Sequence, residues 1–158
     1  MMERGFFVLM LFAFGCGQPP AATTISIKVF PAVLAQDPLA EPATDWTRME
    51  FAGGPRGRAG MYHLASEPIL TDWNILTFRG ASQPDGSMAV VARLNAYGEN
   101  KMKAFSGDPA NMKKPLAVNV DGRWADVYTL LERVSDRITI YGFTPEEIDR
   151  LKKHLETR

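Results

Sequence analysis

The side chain with the clearest chemical role is the only cysteine, Cys16, which directly follows an apolar run at residues 6–14. That run has about nine residues, whereas a helix that spans a bilayer needs about 20. With Arg4 before the run and Gly15 before the cysteine, the pattern is typical of a cleaved signal peptide. A cysteine at the first mature position marks the lipoprotein variant, in which the thiol receives diacylglycerol. We therefore predict a lipoprotein signal peptide at residues 1–15 and lipidation of Cys16.

The residues around the cleavage site resemble a bacterial lipobox, with two departures. Leucine is usual where Ala13 stands, and a small residue is usual where Phe14 stands. Two other interpretations stay open, namely ordinary secretion with a free thiol and a cytoplasmic protein with an apolar start. If Cys16 is lipidated, three acyl chains exceed the single chain whose anchoring is marginal. Gly17 rather than aspartate follows it, which resembles the signal for the outer membrane and favours its periplasmic face over the inner membrane.

The other reactive side chains do not form a recognisable catalytic set. His63 is expected in a strand, and His154 in the last turn of a helix, where the helix dipole favours a cation. Asp121 is explained by a turn, and Asp126 is expected on the face opposite Ala125. The sequence contains no H-E-x-x-H, G-x-S-x-G or phosphate-binding glycine loop. We therefore expect a protein that is not an enzyme and that needs no cofactor and no metal.

Composition limits the partners. The chain has 18 Lys and Arg against 18 Asp and Glu, a formal net charge of zero. A neutral chain gives no electrostatic reason to expect nucleic acid or an acidic partner. A single cysteine allows no intramolecular disulfide, so the stability must come from the hydrophobic core. We expect a tether at residues 16–24, followed by one domain at residues 25–158.

The first half of that domain contains several strand patterns. Apolar residues alternate with polar ones from Ile25 to Val29, and short strands are expected at residues 46–51 and 61–64. Residues 36–44 read as a loop. Residues 53–58, which carry two arginines, could hold an anion, but their glycine and proline content favours a flexible surface loop. Thr71 is expected to cap a short helical turn.

The second half shows sharper patterns of strands and helices. We predict strands at residues 87–94, 116–120 and 137–141, and helices that begin after Asn95 and Thr144. Gly98, Met102 and Phe105 form one stripe of the first helix, and Gly98 should let it approach the sheet. Residues 127–134 fit either an irregular stretch or a short helix. The order strands, helix, strands, helix predicts an α+β domain with a mainly antiparallel sheet and both principal helices on one face.

A hairpin is predicted where Asp121-Gly122 separates two strand patterns, because both residues tolerate positive φ. Pairing across this turn places Ala125 and Val127 on the face of Leu116 and Val118. It places Trp124 on the other face, beside Asn119. An exposed Trp is typical of a docking site, so Trp124 and Asn119 are candidate polypeptide-binding residues. The alternative is that the N-terminal strand or residues 127–134 cover this face.

Four ordered motifs also carry a resemblance to a known family. They are Tyr62-His63-Leu64 with Glu67-Pro68-Ile69-Leu70-Thr71, Leu94-Asn95 with Gly98 and Met102, Leu116-Ala117-Val118 with Asp121-Gly122, and Ile140-Tyr141-Gly142-Phe143-Thr144 with Glu146-Glu147. In this order, residues 61–155 resemble the head part of the large periplasmic domain (P1) of SecD, the translocase accessory subunit. The resemblance implies a fold and a capacity to bind unfolded polypeptide outside the membrane. It implies no catalytic residues.

These observations predict a lipid-anchored envelope protein that binds polypeptide or assists protein export. The expected partners are the membrane, through the lipid, and unfolded polypeptide or proteins of the translocase and envelope. The alternative is a structural or complex-forming envelope lipoprotein with one fixed partner.

Overall fold

The structure is a computed structural model that describes residues 24–37 and 42–158. The predicted signal peptide, Cys16, residues 16–23 of the predicted tether and part of the predicted loop at residues 36–44 lie outside the described residues.

Nine strands, two α-helices and one 3-10 turn make up the described part of the chain. The strands are β1 (Ile27–Leu34), β2 (Thr47–Phe51), β3 (Gly60–Leu64), β4 (Leu70–Thr71), β5 (Ile75–Ser82), β6 (Met88–Leu94), β7 (Pro115–Val120), β8 (Arg123–Thr129) and β9 (Arg137–Phe143). The helices are α1 (Ala96–Gly107) and α2 (Pro145–Glu156), and the 3-10 turn is Asp72–Asn74.

The strands form two antiparallel sheets. The larger has six strands in the order β2-β3-β1-β7-β8, with β4 also paired to β1. The smaller has the order β5-β6-β9. The predicted α+β class, with antiparallel pairing and two principal helices, is confirmed. Its division into two sheets is not visible in the sequence, because alternation shows that a strand has a buried face without showing which strands share it.

Buried apolar side chains collect in two clusters. The central cluster joins both sheets and both helices, and consists of Ile25, Ile27, Val29, Leu70, Ile75, Val90, Ala92, Leu94, Met102, Leu116, Val118, Val120, Ala125, Tyr128, Leu130, Val134, Ile138, Ile140, Phe143 and Leu151. The outer cluster is formed by residues of the larger sheet that point away from the central cluster. It consists of Ala32, Met49, Phe51, Tyr62, Leu64, Ala117 and Val127, with Phe30 and Trp124 partly buried against it. Both clusters therefore lie within residues 24–158.

Both helices begin where the sequence predicts. The Asn95 side chain accepts a hydrogen bond from the Gly98 amide at 2.9 Å and caps α1. At α2 the Thr144 hydroxyl accepts from the Glu147 amide at 3.2 Å, and the Glu147 carboxylate accepts from the Thr144 amide at 2.8 Å. This reciprocal capping box stabilises the first turn of α2. A Cβ at Gly98 would lie 2.9 Å from Asn74 Cβ, so the close approach is to the 3-10 turn as well as to β4.

Strand β5 is absent from the sequence prediction. Its residues read Ile-Leu-Thr-Phe-Arg-Gly-Ala-Ser, and apolar and polar residues alternate only over residues 76–79. The pattern is weak because β5 is an edge strand, most of whose residues are exposed. The region 127–134 divides between the end of β8 and an irregular stretch.

The hairpin at Asp121-Gly122 is confirmed, with φ of 50° and 87° at its two central residues. One predicted detail is wrong: Val127 lies on the Ala117 side, in the outer cluster, and not on the face of Leu116 and Val118. The register shifts between Val118 and Asn119, so that Val118 pairs with Asp126 and Asn119 with Trp124. This bulge inserts Ala125 as an extra residue and reverses the alternation along β8.

Candidate functional site

The structure places Trp124 and Asn119 opposite each other on neighbouring strands, as predicted. The Trp124 ring is half-buried and packs edge-to-face on Phe30 of β1, with ring centroids 5.8 Å apart. The Asn119 side chain accepts a hydrogen bond from the Gly122 amide at 3.0 Å and thereby supports the turn. The N-terminal strand therefore covers part of this face. A contact of Trp124 and Asn119 with polypeptide stays a prediction.

The outer edge of β8 is covered by the loop at residues 53–58. The carboxylate of Asp126, whose residue is fully buried, accepts hydrogen bonds through Oδ1 from the amides of Gly57 at 2.9 Å, Arg56 at 3.2 Å and Val127 at 2.8 Å. A Cβ at Gly57 would lie 2.4 Å from the Val127 carbonyl oxygen. The loop is thus hydrogen-bonded to β8. Five of its six residues are exposed, so the predicted surface loop is confirmed, whereas its flexibility stays a prediction.

The two histidines lie in the expected elements. His63 is in β3, and the His154 ring nitrogen lies 3.2 Å from the Asp72 carboxylate. This contact joins the last turn of α2 to the 3-10 turn. Across residues 24–37 and 42–158, no group of three or more His, Cys, Asp or Glu side chains could hold a metal ion.

Burial raises the pKa values of two tyrosines on the larger sheet. The pKa of Tyr128 is raised mainly by desolvation, with smaller contributions from Tyr141 and Asp126. Desolvation also raises the pKa of Tyr62, although Arg58 opposes it. The Tyr62 hydroxyl donates to the Arg58 carbonyl oxygen at 3.0 Å, whereas the Tyr128 hydroxyl has no hydrogen-bond partner within the described part of the chain.

A pair of aromatic side chains that sequence reasoning missed is exposed at one end of the smaller sheet. Trp73 of the 3-10 turn is 65% exposed, and Tyr97 in the first turn of α1 is 64% exposed. Asn95 holds the two elements together, because its side-chain amide donates to the Trp73 carbonyl oxygen at 3.0 Å and its backbone amide donates to the Asn74 carbonyl oxygen at 2.8 Å.

Between these aromatic rings runs an open groove of about 700 Å³. Its lining includes Pro68, Trp73, Tyr97 and Lys101. The Lys101 ammonium lies 5.0 Å from the centre of the Tyr97 ring, and the Arg158 guanidinium lies 4.2 Å from the centre of the Trp73 ring. Each cation is held by the negative face of an aromatic ring. The groove therefore offers aromatic surface with charges of both signs along it, because Glu67 and Lys101 are both among its lining residues.

One signal for this surface was present in the sequence. Tyr97 precedes Gly98 and lies off the stripe of Gly98, Met102 and Phe105 that faces the core. Such a position predicts an exposed aromatic side chain. Trp73 carries no comparable signal, because a 3-10 turn of three residues has no periodicity from which to read a buried face.

Comparison with known proteins yields matches among solved structures. No protein-family model matches the chain, and no curated protein matches it. Its structure superposes on SecDF, described as a membrane component that enhances protein export, with a TM-score of 0.51 at 16% identity. The fold is SecD-like. A second SecDF structure, in the super-membrane-facing form, matches with a TM-score of 0.50 at 16% identity.

The match extends beyond the motifs on which the resemblance to SecD rests. It covers 84% of this chain, more than residues 61–155, and takes in 62% of the first SecDF chain and 18% of the second. The chain thus spans less than two thirds of either SecDF chain. No helix formed by residues 24–37 or 42–158 is long and apolar enough to cross a membrane.

Proposed function

We propose that this protein is a lipid-anchored, non-enzymatic component of the bacterial envelope that binds unfolded polypeptide during protein export. The observation that carries the proposal is the exposed aromatic groove of Trp73 and Tyr97 on a SecD-like fold. The similar SecDF structure is described as a component that enhances protein export.

The chemistry of the groove fits an unfolded client better than a folded, charged one. Trp and Tyr supply large apolar contact areas and are enriched among residues that dominate binding energies. An unfolded chain exposes apolar side chains that such rings can cover, whereas a folded protein has buried most of its own. Because this chain has a net charge of zero, its overall charge favours neither acidic nor basic client sequences.

Binding can be tested with reduced, carboxymethylated α-lactalbumin, a permanently unfolded secretory protein, carrying a fluorescent label. We expect residues 24–158 to raise the anisotropy of the label with micromolar affinity, and folded α-lactalbumin to compete poorly. Trp73→Ala and Tyr97→Ala should each weaken binding about tenfold, as loss of about 1.4 kcal/mol does. Trp124→Ala tests the alternative site predicted from the sequence, and if the groove is the site this variant should bind like the wild type.

Three outcomes of this titration would count against the proposal or its site. Absence of binding by the wild type would overturn it and favour a structural lipoprotein with one fixed partner. Loss of affinity only in Trp124→Ala would return the site to Trp124 and Asn119. Equal binding of folded and unfolded α-lactalbumin would exclude selectivity for unfolded chains.

Anchoring through Cys16, on the periplasmic side of the outer membrane, is the second part of the proposal. It is supported by the position of Cys16 behind the apolar run and by Gly17 after it. Cells that express the wild type or Cys16→Ser are labelled with an alkyne fatty acid and fractionated. We expect label and membrane association only in the wild type. A Cys16→Ser protein that takes up label would show that the lipid lies elsewhere.

A further inference from the structure

We propose that the client binds by adding a strand to the open edge of β5, beside the Trp73 and Tyr97 groove. This inference rests on the proposed function and specifies how the polypeptide is held. The occupant is an extended segment of an unfolded polypeptide that places an apolar side chain in the groove.

The smaller sheet ends at β5, and no described strand pairs with the outer side of β5. The strand has eight residues and contains neither proline nor lysine, two residue types that protect edge strands in other proteins. Its one charged residue is Arg79. An edge of this length presents unpaired N–H and C=O groups that another extended backbone can satisfy.

The register identifies which residues offer those groups. Gln83 continues the ladder beyond β5, and its amide donates to the Ser87 carbonyl oxygen at 2.9 Å. Because backbone groups in an antiparallel strand point alternately to the two sides, residues 77, 79 and 81 also pair with β6. Phe78, Gly80 and Ser82 therefore direct their N–H and C=O groups outward.

The side chains of these three residues leave the outer edge accessible. Phe78 packs against the central cluster, and Gly80 faces Ile148 of α2, since a Cβ there would lie 3.4 Å from an Ile148 methyl group. Gly80 and Ser82 are both exposed. The helix thus packs on the face of β5 and not along its edge.

The start of β5 lies close to the aromatic groove along the chain. Trp73 precedes β5 by two residues, and Tyr97 follows the end of β6, where Leu94 pairs with Ile75. Leu76, at the bulge that begins β5, is 53% exposed and adds an apolar side chain between Trp73 and Phe78 along the chain. A client strand on β5 would therefore reach the groove with a side chain near one of its ends.

The decisive measurement is residue-by-residue amide hydrogen exchange of residues 24–158, by NMR, with and without reduced, carboxymethylated α-lactalbumin. We expect the amides of Phe78, Gly80 and Ser82 to exchange fast in the free protein and at least tenfold more slowly in the complex. The amide of Asp85, in the exposed turn that follows β5, serves as an internal control and should change little.

A pair of variants at one position separates backbone from side-chain recognition. Ser82→Pro removes an outward N–H without removing a bond to β6, and should weaken binding about tenfold, the effect of roughly one hydrogen bond. Ser82→Ala keeps the N–H and should bind like the wild type.

The outcomes distinguish this inference from the proposed function. If the wild type binds α-lactalbumin but the three amides stay unprotected, strand addition is wrong and the polypeptide-binding function stands. If the wild type does not bind, both are wrong. If the three amides become protected with rising protein concentration and no client, the edge pairs with a second copy of the chain, which overturns the client assignment.

Discussion

Two edge strands of this protein, β8 and β5, are each accompanied by a tryptophan, and they differ in what covers them. At β8, Phe30 packs on the Trp124 ring, and the loop at residues 53–58 is bonded to the buried carboxylate of Asp126. At β5, no described strand pairs with the outer edge, and Trp73 is 65% exposed. The first edge is covered by another segment of the chain, whereas no described strand lies against the second.

In this protein, the face of a strand on which a residue lies and the exposure of its side chain are separate properties. Alternation correctly placed Trp124 beside Asn119, but the side chain that covers Trp124 comes from β1, far away in the sequence. Trp73 lies in a turn too short to show alternation of apolar and polar residues. It is exposed to solvent because no described segment covers it as Phe30 covers Trp124. Exposure therefore depends on contacts between distant segments.

The largest expected effect is at the covered edge. Asp126→Ala removes the acceptor of three backbone amides and should lower the free energy of unfolding by about 3 kcal/mol, since hydrogen bonds to charged groups contribute about 1.5–3 kcal/mol. Asp108→Ala, which removes one exposed bond to the Ala110 amide, should cost less than about 1 kcal/mol. Urea unfolding measures both, and equal losses would mean that Asp126 does not hold the loop.

The second effect concerns the covered tryptophan. Trp124→Ala should lower the free energy of unfolding by about 2 kcal/mol, below the range for fully buried aromatic residues because the ring is only half-buried. Phe30→Ala, which removes the other member of the pair, should cost a similar amount. The double variant should cost less than the sum of the two single changes, since the partners are in contact. Additive losses would show that the rings do not stabilise each other.

The third effect has the opposite sign. Tyr128→Phe, also in β8, removes a buried hydroxyl that has no hydrogen-bond partner among the described residues and should raise the free energy of unfolding by about 1 kcal/mol. Tyr62→Phe breaks the bond to the Arg58 carbonyl oxygen and should lower it by about 1 kcal/mol. Thermal melts at neutral pH compare the two, and a destabilised Tyr128→Phe would reveal a partner for that hydroxyl.

These tyrosines also predict a pH dependence. Burial raises the pKa values of both Tyr128 and Tyr62. The unfolded chain therefore releases the protons of these hydroxyls at lower pH than the folded protein does. Their contribution to stability is complete below the ordinary tyrosine pKa of about 10 and falls as pH rises above it. Urea midpoints between neutral and alkaline pH should decline less steeply in Tyr128→Phe, and an unchanged slope would contradict the assignment.

The smallest effect on stability is expected at the open edge. Trp73→Ala should lower the free energy of unfolding by no more than about 1 kcal/mol, the size of its exposed cation–π contact with Arg158, although it should weaken client binding. Trp124→Ala should show the reverse. If Trp73→Ala destabilises the protein as much as Trp124→Ala does, the contrast between the two edges fails.

The sequence by itself determined the features that depend on neighbouring residues. The Thr144 capping box, the start of α1 after Asn95 and the turn at Asp121-Gly122 were all predicted correctly, because each rests on hydrogen bonds or backbone angles within a few residues. The alternation of β6 and the α+β class followed from the same local periodicity.

Only the tertiary structure decided how the strands divide between two sheets and which segments cover which side chains. The bulge at Ala125 places Val127 in the outer cluster. Strand β5 forms an edge of the smaller sheet although its weak alternation did not predict a strand. Phe30 of β1 covers Trp124 of β8. Each outcome depends on contacts between segments far apart in sequence, whereas periodicity reports only which side of its own element a residue occupies. The open groove of Trp73 and Tyr97 appears for the same reason, because it forms only where the 3-10 turn and α1 meet.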